Sequence, residues 1–443
     1  MFYLKNFKNF EEAKLSFDEP ITLLVGPNGA GKSNLIEAVE LLCFVANGRP
    51  LHEITDLGRE GGLEVRGGLD ACARRGERDF LLGYHGTVVT TQGNCRIRYE
   101  ITIRVGKEPR VGAEVLYIEG RDIPVFEVLP SEADSPSADN AVRYDNYSRG
   151  MNKPTAAAAA DRSALSQYAR FARNNKKLAE TLELIDAVTQ SLAPPSVFDP
   201  IPKLMRGYER ETETRLARNG FNISPVLAEL LRKRAVLMKG EGKKTKVKLI
   251  DRSDVAERIL ARIAQLPDEP FKSFDFIRTK ARDIMFGFRI QAGEKPVTAR
   301  VLSDGTLRAL AVLAALETSP RGQRIIVEEF DNGVHPSRVQ VLTEALFDCS
   351  TKNGLRSLVT THNPATLNAL TPEQIGSVLL VANAPEQHGG RLIPLPELPG
   401  YIEFIEKGRL GDLITRRLYE QHLTGKYEEN RKVEIEEWLA TLP

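Results

Sequence analysis

Between Gly26 and Ser33 the chain reads Gly-Pro-Asn-Gly-Ala-Gly-Lys-Ser, with three glycines ahead of a lysine and a hydroxyl. Gly26, Gly29 and Gly31 allow backbone angles and a close approach that a Cβ would block, so neighbouring N–H groups can turn into one cavity. Lys32 brings a positive charge to the β- and γ-phosphates of a nucleotide, and Ser33 brings a hydroxyl suited to Mg²⁺. The candidate phosphate-binding set is Gly26, Pro27, Asn28, Gly29, Ala30, Gly31, Lys32, Ser33 and Asn34.

Such a loop works only between a strand and a helix. Ile21-Thr22-Leu23-Leu24-Val25 is an apolar run of buried-strand type, and Asn34 to Leu42 carries apolar residues at helical spacing. The helix N-terminus adds its own partial positive charge.

Three later stretches carry related chemistry. Leu302-Ser303-Asp304-Gly305-Thr306 leads from a strand into an apolar helix; Ser303 is an N-cap type, and Gly305 leaves the first helical N–H groups open to an anion. Alone, this is an ordinary capped core helix. Arg324-Ile-Ile-Val-Glu-Glu-Phe-Asp is an apolar strand ending in two carboxylates. Glu328 is placed to hold Mg²⁺ through water, and Glu329 to orient or deprotonate an attacking water. Leu358-Val-Thr-Thr-His-Asn-Pro ends another strand in His362, which can reach a γ-phosphate.

The bulk of the chain sets few further limits. Its 443 residues predict two or three structural units, and 61 Lys plus Arg against 60 Asp plus Glu leave any nucleic-acid argument to a local patch. Cys43, Cys72, Cys95 and Cys349 form no CxxC pair and fit buried thiols in a reducing compartment. The N-terminus lacks a secretory core, and no segment approaches the roughly 18 apolar residues of a membrane span. The expected location is the cytoplasm.

Along the chain, residues 2 to 18 predict two short strands, and residues 47 to 78 predict loops. Phe80 to Leu129 alternates in the manner of an antiparallel meander, with turns at Gln92-Gly93-Asn94 and at Gly106. His85 lies inside it with no second metal ligand nearby. Beyond Pro130 the pattern predicts helices at Ala164–Phe171, Lys177–Ser191, Pro225–Met238 and Val255–Leu266, without the sustained heptads of a coiled coil. Helices are also expected at Glu403–His422 and Val433–Leu442. The stretch Arg232 to Arg252 is strongly basic and suits nucleic-acid phosphates, or equally a solvated hairpin tip, since no aromatic residue is interleaved.

The order GPNGAGKS, LSDGT, IIVEEFD, TTH resembles the motif order of ABC-type P-loop ATPases. The opening NFKNF, the loop GPNGAGKSNLIEA and the large insertion before the signature turn are similar to the SMC and RecF branch. EEFDNGVHP followed by THNP resembles prokaryotic AAA-type ABC ATPases related to the OLD proteins of anti-phage defence. The resemblance implies an α/β ABC ATPase head: a mixed sheet with a central P-loop strand, an antiparallel β subdomain and an inserted helical domain. The corresponding division is 1–130 for the first part of the head, 131–280 for the insertion, 281–385 for the second part and 386–443 for a helical tail.

The resemblance also implies ATP and Mg²⁺ as ligands and a homodimer of heads packed head to tail. Lys32, Ser33, Glu328 and Glu329 of one subunit would hold each ATP, and Ser303 and Gly305 of the other would meet its γ-phosphate. Glu329, His362 and Lys32 are then the catalytic residues, with Ser33 and Glu328 on the metal. Three departures stand out. Glu328 occupies a position usually held by Asp, Asp304 replaces a signature glycine, and a nucleotide-sensing Gln is not assignable, Gln92 being poorly placed in a turn. No acidic cluster of the OLD nuclease kind follows His362, so the expected use is an ATP-gated switch in anti-phage defence with a separately encoded nuclease or toxin effector. The alternative is a RecF/SMC-like DNA-binding ATPase of repair or chromosome maintenance. A transporter subunit is disfavoured, because its signature turn lies much nearer the P-loop than the roughly 270 residues found here.

Overall fold

The computed structural model describes residues 1–56, 62–129, 139–150, 152–212, 214–239, 245–267, 269–384 and 389–423. The chain divides into two compact units. The first comprises Met1–Asp18, Pro27–Pro195 and Leu380–Ile393, and the second Glu19–Gly26, Ser196–Leu379 and Pro394–Pro443.

The first unit is built on an eight-stranded antiparallel sheet. Its spatial order is Thr155–Ala159, Asp139–Tyr144, Phe126–Val128, Arg110–Ile118, Gly93–Arg104, Asp79–Thr90, Phe2–Phe7 and Phe10–Leu15. The two long strands pair along their whole length, Asp79 opposite Arg104 through Thr90 opposite Gly93. Strict alternation gives this sheet one apolar face, with Phe80, Leu82, Tyr99, Ile101 and Ile103 all buried. The meander expected from Phe80 to Leu129 is therefore present. The P-loop helix, Lys32–Ala46, buries most of its residues, as its near-continuous apolar sequence requires.

The second unit holds a parallel sheet. Its strands run Ser196–Phe198, Arg324–Val327, Arg356–Thr361, Ile21–Val25, with the P-loop strand in the interior and a further strand, Val378–Ala384, following it. Ile21–Val25 and Arg324–Val327 are buried at every position, the mark of parallel strands covered on both faces. The signature helix Asp304–Thr318, buried almost all round, packs against the helix Pro336–Asn353. A smaller antiparallel sheet joins Glu209–Arg210, Asp283–Arg289 and Ser273–Arg278. The fold is thus α/β, a sheet with an interior P-loop strand plus an antiparallel sheet.

Several helical expectations need correction. The segment Pro225–Met238 is not one helix. The helix Ile223–Leu230 stops, and Arg234–Lys239 pairs antiparallel with Thr245–Ile250, Val236 opposite Lys248 and Met238 opposite Lys246. Thr-Lys-Val-Lys-Leu-Ile alternates with period two, and this pairing overrides the helical reading of Leu-Arg-Lys-Arg-Ala-Val. Ala164–Phe171 forms a 3-10 turn, Leu165–Gln167, followed by the short helix Tyr168–Phe171. Glu403–His422 is broken into Tyr401–Glu406, Leu410–Thr415 and Tyr419–Leu423, because Gly408 and Arg417 adopt positive φ between them. Lys243, Lys244 and the expected helix Val433–Leu442 lie outside the described residues.

Candidate functional site

The P-loop begins at Gly26 in the second unit and continues from Pro27 in the first. Gly31 sits at φ 108° as the residue before the P-loop helix, and Gly29 at φ 81°. A side chain on Gly31 would be strained by that φ alone. It would also collide with its surroundings, since a Cβ there would lie 2.6 Å from the Asn9 amide nitrogen and 2.9 Å from the Phe10 ring. Asn9 braces the loop. Its Nδ2 donates to the Ala30 carbonyl at 2.9 Å, and its Oδ1 accepts from Asn34 Nδ2 at 2.8 Å. Lys32 is buried and donates to the Pro27 carbonyl at 3.1 Å, folded over its own loop. Asn9 was visible in the sequence only as part of NFKNF.

The strand Arg324–Val327 delivers the two carboxylates at its C-terminal end. Glu328 N–H donates to the Phe198 carbonyl at 2.9 Å, continuing the parallel ladder. Its side chain is paired with Arg218, Nη2 to Oε1 at 2.8 Å. Glu329 leaves the strand at φ 44°, an uncommon conformation for a non-glycine residue. Hydrogen bonds hold it there: its N–H donates to Thr360 Oγ1 at 2.8 Å, and its carbonyl accepts from Arg308 Nη1 at 3.1 Å. The Glu329 carboxylate accepts from Asn332 Nδ2 at 2.8 Å and lies 3.8 Å from His362 Nδ1. Both side chains are about two-fifths exposed, open to a substrate. Glu329 and His362 therefore meet, as their places at the tips of neighbouring parallel strands require.

Asp331 supports this corner from inside. It is buried, and its Oδ2 accepts from Thr361 Oγ1 at 2.6 Å and from Thr366 Oγ1. Burial pushes its carboxyl above the ordinary range.

At the signature turn Ser303 caps its helix, Oγ accepting from Thr306 N–H at 3.1 Å. Gly305 is required by a close approach: a Cβ there would stand 2.9 Å from the Gly333 carbonyl oxygen, in the loop after Glu329. Gly305 therefore lies beside that loop. Asp304 is 68% exposed and pairs with Arg206 at 2.6 Å, which offsets the charge that stands in place of a glycine. Gln92 is engaged elsewhere, its hydrogen bond to Glu180 holding that carboxyl below its ordinary value. His85 bonds Glu100 at 3.0 Å and stacks on Tyr3. Among the described residues no group of three or more His, Cys, Asp and Glu is poised around a metal, and no helix is long and apolar enough to cross a membrane. Cys43, Cys72 and Cys349 are buried thiols, and Cys95 is half-buried.

Residues 2–63 match a family described as "AAA domain", and residues 239–368 match one described as "AAA domain, putative AbiEii toxin, Type IV TA system". In these segments the chain is similar to AAA-type domains of SMC/RecF-like P-loop ATPases. The chain is 46% identical over 48 residues to the DNA replication and repair protein RecF of Lactobacillus johnsonii, covering 11% of this chain and 13% of that protein. It is 38% identical over 99 residues to RecF of Rhizobium etli, covering 21% and 25%. It thus spans a quarter or less of the length of these RecF relatives. Among solved structures it is similar to an SMC head bound to the C-winged helix domain of ScpA, at 13% identity and TM-score 0.43, covering 88% of this chain and 96% of that one. The SMC head domain from Thermotoga maritima gives 15% identity, TM-score 0.37, and coverage of 89% and 97%.

Proposed function

We propose that this ATPase chain binds ATP with Mg²⁺, hydrolyses it to ADP and phosphate, and uses the bound nucleotide to join two copies head to tail. The observation that carries the reading is Glu329, held at positive φ by Thr360 and Arg308, with its carboxylate open and His362 beside it. A group maintained in a costly conformation by several hydrogen bonds, yet exposed, is suited to accept a proton from an attacking water.

The remaining roles follow from donor chemistry. Lys32 and the N–H groups of Asn28 to Asn34 bind phosphate oxygens, and Ser33 and Glu328 are the residues whose oxygens suit Mg²⁺. When bound, Mg²⁺ neutralises charge on the phosphates. For Glu328 to serve it, Arg218 has to withdraw. His362 senses the γ-phosphate. Ser303 and Gly305 grip the nucleotide of the second copy.

For the use of the switch we propose anti-phage defence with a separately encoded nuclease or toxin effector, and the match of residues 239–368 to a family described as a putative toxin of a type IV TA system supports a role in a system of that kind. The local identity to RecF supports the second reading, a DNA-binding ATPase of repair or chromosome maintenance in which Arg232–Arg252 contacts phosphates. Both place the chain in the cytoplasm. Replacing Lys246 and Lys248 with Glu separates them: loss of DNA-stimulated hydrolysis supports the repair reading, and unchanged hydrolysis supports a protein partner.

The first test is the solution mass of Glu329→Gln with and without Mg-ATP, beside Lys32→Ala. ATP-dependent dimers in the first variant only support the switch; a single nucleotide-independent species in both overturns it.

A further inference from the structure

Ser303 is tied to its own helix through side chains drawn from two other segments. Its Oγ lies 2.7 Å from Thr306 Oγ1 while also accepting the Thr306 N–H. Thr306 is fully buried, and its hydroxyl donates to Glu269 Oε1. Arg338 Nη1 donates both to Glu269 Oε1 at 2.8 Å and to Thr306 Oγ1 at 3.0 Å, and its Nη2 donates to the Pro267 carbonyl at 2.8 Å. Glu269 is itself buried.

The protons in this chain can be counted. A hydroxyl has one proton and two lone pairs, and a carboxylate held by a guanidinium only accepts. Thr306 gives its proton to Glu269 and one lone pair to Arg338, so the 2.7 Å contact uses the proton of Ser303. Ser303 therefore turns its proton inward. A γ-phosphate brings only acceptor oxygens, so in this state the hydroxyl is oriented against it.

We infer that Thr306, Glu269 and Arg338 form a latch that sets the direction of the Ser303 hydroxyl, and through it the grip on the γ-phosphate held by a second copy. This rests on the role given to Ser303 above. Engagement requires the Ser303 O–H to rotate from Thr306 to a phosphate oxygen, with no bond broken but one hydrogen bond exchanged for another. Arg338 stands in the first turn of the helix Pro336–Asn353, which begins just past the Glu329 loop, so a shift of that helix would loosen the latch from the hydrolytic side. The three are positioning residues.

The test is made in a Glu329→Gln background, where nucleotide is retained, by measuring the ATP concentration that gives half-maximal dimer. Thr306→Val removes the acceptor that ties up Ser303 and should lower that concentration about three- to tenfold, as release of one hydrogen bond predicts. Thr306→Ser should match the parent, a rescue that a merely structural role for the methyl group would not give. Melting temperatures confirm that the variants fold, and Thr306→Cys, a poor acceptor, stands in if the valine protein does not. A folded Thr306→Val that dimerises at the same or higher ATP overturns the latch. Ser303→Ala separates this from the underlying reading: if it dimerises as the parent does, Ser303 has no role in the grip and the latch falls with it.

Discussion

Arg218 places Nη2 2.8 Å from Glu328 Oε1, so the carboxylate assigned to the metal already carries a cation from its own chain. The side chain of Arg218 is about half exposed, and an ion pair of that kind is worth little in water, about 0.2–1 kcal/mol. In the proposed site Mg²⁺ would therefore have only a weak ion pair to displace. Arg218→Ala should lower the Mg²⁺ concentration for half-maximal binding of a fluorescent ATP analogue about two- to fivefold. An unchanged or higher half-maximal Mg²⁺ concentration would show that the pair is not in competition with metal.

Glu329 and Thr360 form the second relationship with a measurable consequence. Glu329→Gln should slow hydrolysis at least about a hundredfold, the usual worth of a positioned base, while ATP binding persists. Thr360→Val removes the hydroxyl that accepts the Glu329 N–H. It should lower kcat and leave KM for ATP nearly unchanged, because it misplaces the base without touching the P-loop. Equal loss in KM would point to a general disturbance of the fold.

Gly31 and Asn9 meet where the P-loop turns into its helix. Gly31→Ala should abolish nucleotide binding, since both its φ of 108° and the 2.6 Å approach of Asn9 oppose a side chain. Asn9→Ala should weaken ATP binding less severely, by loosening the Ala30 carbonyl and Asn34. Calorimetric titration of both variants checks the order; an Asn9→Ala protein binding ATP normally would remove the brace from the account.

Glu114 carries a pH dependence. It is fully buried, and its carboxylate accepts from the N–H groups of Ala164 at 2.6 Å and Leu165 at 2.9 Å and from Tyr99 Oη at 3.0 Å. Burial pushes its pKa up to about 7 despite those donors. The folded protein thus holds a proton that the unfolded chain releases near its ordinary value of 4.5, so the contribution is full below that pH and is lost as pH rises through about 7. Its size is on the order of 3 kcal/mol. Thermal unfolding should show wild-type stability falling between about pH 4.5 and 7 with a component absent from Glu114→Gln. Identical slopes in the two proteins would contradict the assignment.

Residue types and spacing alone pointed to a nucleotide chemistry and predicted much of the scaffold. GPNGAGKS between an apolar strand and an apolar helix has one economical reading, and the meander from Phe80 announced itself by alternation, because both patterns are local and repeat along the chain. The paired carboxylates and His362 were legible for the same reason, each at the end of a short apolar run. What surrounds them was decided only by tertiary structure. Asn9 reaching Ala30, Arg218 reaching Glu328 and Glu269 reaching Thr306 span 21, 110 and 37 positions in sequence, and nothing periodic links their members. The hairpin from Arg234 had the same origin. Its first strand reads as a helix in isolation and becomes a strand only because Thr245–Ile250 offers a ladder of backbone hydrogen bonds, a partner that local propensity does not include.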